Sequence, residues 1–376
     1  MNILVLNAGS SSHKMALFAV EAGATDIPAP TWEATAERTD DAGEAVADAL
    51  RLLVSDGAVI HAVGHRVVHG GQEFRETTRI TPDVRATIAR LSPLAPSHNP
   101  ASLAGMEAAR RLFGADVPQF AAFDTAFHSN LPDAAALYPG PYAWWEQGIR
   151  QYGFHGISHR YCAERAAQML GRDLEELRII TCHLGNGCSL AAVRYGQCVE
   201  TTMGYTLMDG LMMGTRSGSV DPGILLHLLS EKGGSAARLG EILNQESGLK
   251  GVSGVSGDMR EVVAAMANGH ERARLAFDTF VHRLRWHIGA MLPALGGLDV
   301  LVFTAGIGEH SAAVRAAACD GFGFLGACLD PTKNDAMLVG DGDVSAANAP
   351  VRVLVLTTRE DAAIARECAY LLAVRE

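Results

Sequence analysis

A chain of 376 residues is too long for one average domain and long enough to bury a core without disulfide or metal staples. Its 48% apolar and 19% charged residues are ordinary for a globular protein, and a formal net charge of −11 argues against nucleic acid or an anionic membrane as the main partner, since both demand a basic surface. Any anionic substrate must therefore be held by cations gathered locally against the overall field.

In chain order, residues 2–6 read as a buried strand, 8–12 as a turn of small polar residues and 14–20 as a second strand. The start, MNILVLNAGSSS, has neither the basic segment nor the apolar length of a signal peptide. Residues 44–54 form an amphipathic helix and 58–68 a strand leading to Gly70-Gly71. Pro82 and Pro100 each open a helix, and the apolar strand 117–123 stops at Asp124.

The pattern then begins again. Residues 178–182 are a strand, Gly185-Asn186-Gly187 is a hairpin signal and 189–193 is the return strand. ILVLNAGSSSHKMALF and IITCHLGNGCSLAAV share this order, which reads as an internal duplication of an α/β domain. The glycine-rich stretches 201–223 and 247–260 exceed simple connectors and read as functional loops. Apolar spacing over 270–295 buries one face of a long helix. Pro293, Gly296, Gly297 and Asp299 break the apolar run 288–307 into a helix end, a turn and a strand, so no membrane span is expected there. Strand 300–304 enters Ala305-Gly306-Ile307-Gly308, and strand 351–356 precedes a last helix over 360–372. The seven cysteines lack any CxxC pair, which fits buried thiols in a reducing, cytoplasmic setting.

Three glycine-rich turns follow apolar strands, after Leu6, Cys182 and Thr304. Small residues there let backbone N–H groups approach phosphate oxygens. With Asn7, Ser10, Ser12, Lys14 and Asn186 beside them, they point to phosphate binding. No GxxxxGK[ST] is present, so the P-loop class is excluded, and Gly306-Ile307-Gly308 runs to Ser311 where a dinucleotide fingerprint wants glycine. A nicotinamide-dependent dehydrogenase therefore ranks last. Arg66, in the apolar strand VGHRVVHG, is costly to place there unless it faces an anion, which a guanidinium can hold bidentately.

The motifs NAGSSSxK, HRVVHGG, FDTAFH, YGFHGISH, HLGNG, GLMMGTRSG and FTAGIGE, in this order, resemble the acetate kinase family from Asn7 to Glu360. The resemblance implies two duplicated RNase H-like α/β domains of the actin/hexokinase/Hsp70 type with an ATP-binding cleft between them. Residues 1–126 with 361–376 would form the first domain, and 127–360 the second, which would carry a homodimer interface. A chaperone-like or non-catalytic ATPase of the same architecture is the alternative from another class.

The implied activity is reversible transfer of the ATP γ-phosphate to acetate, with propionate or another short carboxylate as the competing substrate. By the same resemblance, Asn7 and Glu360 are the magnesium positions, where manganese could substitute, and Asp124, His155, Arg66 and Arg216 are catalytic. Lys14, His183, Leu184, Gly185, Asn186, Gly187, Asp258, Met259, Arg260, Gly306, Ile307, Gly308, Glu309 and His310 contact ATP or ADP. Val68, Ser97, Phe154 and Leu207 line the acyl pocket. Ser97 stands where leucine is usual, Leu207 where proline is usual, and His310 and Arg359 where asparagines are usual. Acetate is already ionised at neutral pH, so Asp124 is expected to orient Arg66 or a metal-bound water rather than remove a proton.

Overall fold

The computed structural model describes residues 1–9, 12–21, 23–24, 27–37, 42–55, 57–231, 234–337 and 339–374. Ser10, expected at the phosphate-binding turn, lies outside them. The chain forms two compact units. One comprises Met1–Ser129, Phe154–Tyr161 and Arg359–Glu376, the other Asn130–Gly153 and Cys162–Thr358.

The first unit holds strands β1 (Asn2–Ala8), β2 (Ser12–Ala19), β3 (Trp32–Glu37), β4 (Ala62–Val67), β5 (Thr78–Arg79) and β6 (Gln119–Phe123). They form one sheet in the order β3-β2-β1-β4-β6-β5. β1, β4 and β6 run parallel, and the other pairings are antiparallel. Both faces of the centre are covered. Ile3 and Val5 pack with Ile364 and Cys368 of the helix Glu360–Ala373. Leu4 and Leu6 pack with Leu50 of the helix Ala42–Ser55 and Ala109 of the helix Asn99–Phe113. Two covered faces explain why β1 is a continuous apolar run instead of an alternation. The last helix approaches β4 so closely that a Cβ on Gly64 would lie 2.6 Å from Ile364 Cγ2.

The second unit holds β7 (Arg178–Leu184), β8 (Cys188–Arg194), β9 (Gln197–Thr201), β10 (Val300–Thr304), β11 (Gly342–Asp343) and β12 (Arg352–Val355). Their order is β11-β12-β10-β7-β8-β9. Read from the opposite edge, this matches the first sheet strand for strand, including which pairs are parallel. The long helix Glu271–Leu295 packs on β7, β8 and β9 through residues including Phe280, Leu284 and Ile288.

The helices expected at Pro82 and Pro100 are present as Pro82–Leu91 and Asn99–Phe113. The strand expected over 58–68 is shorter. His61 donates its N–H to Asn2 O at 2.9 Å, and regular pairing with β1 starts only at Ala62. The stretch 247–260 is not all loop, because Gly248–Ser253 is a short helix and Met259 opens another, Met259–Ala267. No disulfide joins the seven cysteines, and Cys328 alone is exposed. Among the described residues no helix is long and apolar enough to cross a membrane.

Candidate active site

Parallel pairing brings the carboxyl ends of β1, β4 and β6 to one edge, where open α/β sheets bind ligands. The register sets Asn7 opposite Arg66. Asp124 follows β6 directly and donates its N–H to Val67 O at 3.0 Å. Arg66 grips Asp124 with two bonds, Nε to Oδ1 at 2.9 Å and Nη2 to Oδ2 at 2.6 Å. Its Nη1 donates to Asn7 Oδ1 at 3.2 Å and lies 3.7 Å from Glu360 Oε2. Asn7 Nδ2 in turn donates to Asp361 Oδ1 at 2.7 Å.

Burial opposes the Arg66 charge, but Asp124 and Glu360 outweigh it and hold the guanidinium firmly protonated. Burial pushes the Asp124 carboxyl up against the opposing pull of Arg66. The bidentate geometry is that of an ionised pair. Asp124 has no solvent exposure, so its carboxylate serves Arg66 and the main chain at His155.

His155 lies in a separate segment, just before the helix Gly156–Leu170. Its main-chain N–H donates to the Asp124 carboxylate, and the Gly156 N–H donates to Asp124 O at 2.9 Å. His155 adopts φ 56°, the left-handed region that a non-glycine residue occupies only when its surroundings impose it. A Cβ on Gly156 would sit 2.2 Å from Asp124 O, so only glycine allows this approach. Asp124 thus positions Arg66 and His155 together.

Val68 and Phe154 are buried in the same unit, whereas Ser97 is exposed. The His69 ring meets the Phe154 ring edge-on with centroids 5.5 Å apart, and His128 Nε2 lies 3.0 Å from Phe154 O. Burial lowers His65, His69 and His128 each to about 4. An unfolded histidine titrates near 6.5, so the unfolded chain binds more protons between those values. These three groups therefore stabilise the fold fully above about pH 6.5, and the contribution is lost as pH falls toward 4. We expect unfolding at pH 5 to take up about three extra protons through them, while Asp124 and Asp361, whose carboxyls burial raises, act in the opposite direction. Denaturant titrations across pH should show this slope. A His65→Gln variant should flatten it by about one proton, and an unchanged slope would contradict the assignment.

The second unit contains a cavity of about 620 Å³ lined by Gly185, Asn186, Gly257, Asp258, Met259, Arg260, Val263, Gly306, Ile307, His310, Ser311, Ala312 and Ala313. Its volume is in the range of small-molecule sites. Two helices begin at its wall, Met259–Ala267 capped by the Asp258 side chain and Ala312–Asp320 capped by Ser311. Their free N–H groups favour anions, while Met259, Val263 and Ile307 supply apolar surface. Of the expected nucleotide contacts, Gly185, Asn186, Asp258, Met259, Arg260, Gly306, Ile307 and His310 line it.

His183, Leu184, Gly187, Gly308 and Glu309 do not line it; His183 and Leu184 end β7, with His183 opposite Thr304 of β10. Glu309 accepts from Ala305 N at 2.9 Å and Thr358 N at 3.3 Å, so its carboxylate braces the turn. Beneath the turn, the fully buried Arg315 donates to Gly308 O at 3.0 Å and Glu309 O at 2.7 Å, and to Asn334 Oδ1 at 2.7 Å and O at 2.8 Å. Sequence reasoning did not single out Val263 or Arg315, and it read Ser311 only as a departure from the dinucleotide fingerprint, not as a cavity residue.

Arg216 lies in the loop after β9 and donates to Leu207 O at 2.8 Å, which brings two predicted residues together. Among the described residues it makes no ion pair. Burial lowers its affinity for a proton, as expected of a guanidinium without an anion. Lys14 is exposed on β2, directly opposite Asn7.

No group of three or more His, Cys, Asp or Glu able to hold a metal occurs among the described residues. The residues expected to hold magnesium can still be compared with what that ion requires. Asn7, Glu360 and Asp361 offer hard oxygen donors, and Asp124, Glu360 and Asp361 crowd around the single guanidinium of Arg66. A divalent cation that keeps most of its waters suits such an acid excess with few protein ligands.

Two α/β units of one strand order, one with an arginine–carboxylate pair at its strand ends and the other with an anion-favouring cavity, have the architecture of an actin-fold ATPase. The model of the acetokinase family matches residues 2–366, and the chain belongs to that family. It is 55% identical over 400 residues to the acetate kinase of Gloeobacter violaceus, covering 98% of both chains. It is 53% identical to that of Trichormus variabilis, covering 99% of this chain and 100% of the relative. The crystal structure of Porphyromonas gingivalis acetate kinase matches with a TM-score of 0.89 at 39% identity, covering 98% of this chain and 99% of that one. A propionate kinase from Francisella tularensis matches with a TM-score of 0.87 at 36% identity, covering 97% and 98%. The chain is thus an enzyme that transfers phosphate between ATP and a short-chain carboxylate.

Proposed function

We propose that the carboxylate is acetate, and that its oxygen attacks the γ-phosphorus of ATP directly and in line to give acetyl phosphate and ADP. The product is a mixed anhydride of high transfer potential, so the reaction runs readily in both directions. The observation that carries the reading is Arg66, held bidentately by Asp124 at the strand ends beside Asn7 and Glu360. In this reading Arg66 and Arg216 spread the charge of the transferring phosphoryl group and His155 donates to it. Asp124 positions Arg66 and His155 and moves no proton. Asn7 and Glu360 would hold Mg²⁺, or Mn²⁺ in its place, which when bound neutralises phosphate charge.

The equal strand orders support reading the two units as duplicated RNase H-like domains. The cavity in the second unit would hold the nucleotide. Val68, Ser97, Phe154 and Leu207 would bound the acyl group. We also propose a cytoplasmic homodimer that uses the second unit. There the helix Pro222–Ser230 buries none of its residues, and Ile224, Leu226, Leu275 and Trp286 are each more than half exposed.

The propionate kinase match favours propionate as the second reading. One added methylene in an apolar pocket shifts selectivity by only about 1–3 kcal/mol. Trapping the acyl phosphate with hydroxylamine and comparing kcat/KM for acetate, propionate and butyrate tests the choice. Acetate should lead, and a clear preference for a longer acid would overturn it.

A further inference from the structure

The strand β4 ends at Val67, and the chain that follows carries Val68 and His69 beyond regular pairing. Their backbone groups still need partners. Asn99, fully buried at the start of the helix Asn99–Phe113, supplies those of His69. Its Oδ1 accepts from His69 N at 3.2 Å, and its Nδ2 donates to His69 O at 3.0 Å. One turn further along the same helix face, Ser102 Oγ donates to Arg66 O at 3.0 Å. The segment from Arg66 to His69 is therefore pinned at both ends by one helix. Thr125 Oγ1 accepts from Gly70 N at 3.1 Å and secures the next residue.

An asparagine side chain presents a donor and an acceptor in one plane, as a neighbouring strand's peptide would. Ionised aspartate accepts only, so it would leave His69 O without a donor. The clamped residue also touches Phe154, because the His69 ring packs edge-on against it, and Phe154 precedes the left-handed His155.

We propose that Asn99 is a positioning residue that sets the width of the acyl pocket, and so the discrimination between acetate and longer carboxylates. It acts through the backbone of His69, which places Val68 on one side and Phe154 on the other. The inference rests on the reading that Val68 and Phe154 bound the acyl group.

The test uses the full-length enzyme and its Asn99→Asp, Asn99→Ala and Ser102→Ala variants. Steady-state kinetics with acetate, propionate and ATP are measured beside thermal unfolding. Both Asn99 variants should raise KM for acetate about tenfold and move the propionate-to-acetate ratio of kcat/KM at least about threefold, with KM for ATP within about twofold. Ser102→Ala removes one bond and should raise KM for acetate about twofold to threefold. It also carries the test if neither Asn99 variant folds, since unchanged acetate kinetics in it would then count against the clamp. A purely structural role would lower the unfolding temperature and leave the substrate ratio alone, which would overturn the inference. Phe154→Ala serves as the control. If it leaves acetate kinetics unchanged, the pocket reading fails; if it alters them and folded Asn99 variants do not, the role of Asn99 fails.

Discussion

An Asp124→Asn enzyme is expected to lose about 10²–10³-fold in kcat, with KM for ATP within about twofold. The reason is geometric. Both carboxylate oxygens accept from Arg66, at 2.9 and 2.6 Å, and the same group accepts the His155 N–H. An amide turns one of those acceptors into a donor facing a guanidinium. Arg66 must then rotate away, and the strained His155 loop loses a restraint. The enzyme is also expected to be less stable by about 3–5 kcal/mol, because a largely buried cation is left without its counter-charge. Turnover by ADP release and denaturant unfolding measure the two effects separately. Near-normal turnover would remove Asp124 from the mechanism. A pH–rate profile without a group assignable to Asp124 in the parent enzyme would agree with a positioning role rather than proton transfer.

The second large effect is expected at Arg315. Four hydrogen bonds tie its guanidinium to Gly308, Glu309 and Asn334, and every acceptor is neutral. Arg315→Leu leaves these buried acceptors without donors. We expect a loss of about 3–5 kcal/mol in unfolding free energy, comparable to breaking a buried polar network. The short helix Ala305–His310 also loses its support from below, and it lines the cavity through Gly306, Ile307 and His310. KM for ATP should therefore rise about tenfold or more while KM for acetate changes little. Arg315→Lys keeps the charge but not the planar fork, and should recover only part of the affinity. Equal KM values for ATP in all three enzymes would show that the short helix does not depend on this bond set.

Much of the fold was legible because its signals are local. The apolar runs of β1, β7 and β10 are continuous since both faces are covered, and Pro82 and Pro100 mark helix starts. The edge strands β3, β5, β9 and β11 were not read. β3, WEATAE, alternates with the period of a strand but carries few strongly apolar residues, and β5 and β11, with two residues each, offer no period to detect. The return of Phe154–Tyr161 to the first unit was equally hidden, since nothing in YGFHGISH says which sheet it will join.

For the site, residue types in an ordered set of motifs were enough to name Asn7, Arg66, Asp124, His155 and Glu360, and to require an anion for an arginine in an apolar strand. The partnership itself came from tertiary structure. Arg66 and Asp124 lie 58 residues apart, and Asn7 and Asp361 lie 354 apart. Parallel pairing of β1, β4 and β6 brings the first three to one edge, and the last helix delivers Glu360 and Asp361 to it. Sequence by itself determined which chemistry the chain carries, because donor type and charge belong to single residues. Only the fold decided that Asp124 orients an arginine, that Asn99 replaces a missing strand neighbour and that Glu309 and Arg315 brace a turn, because a hydrogen bond exists only where two distant backbones are brought within about 3 Å.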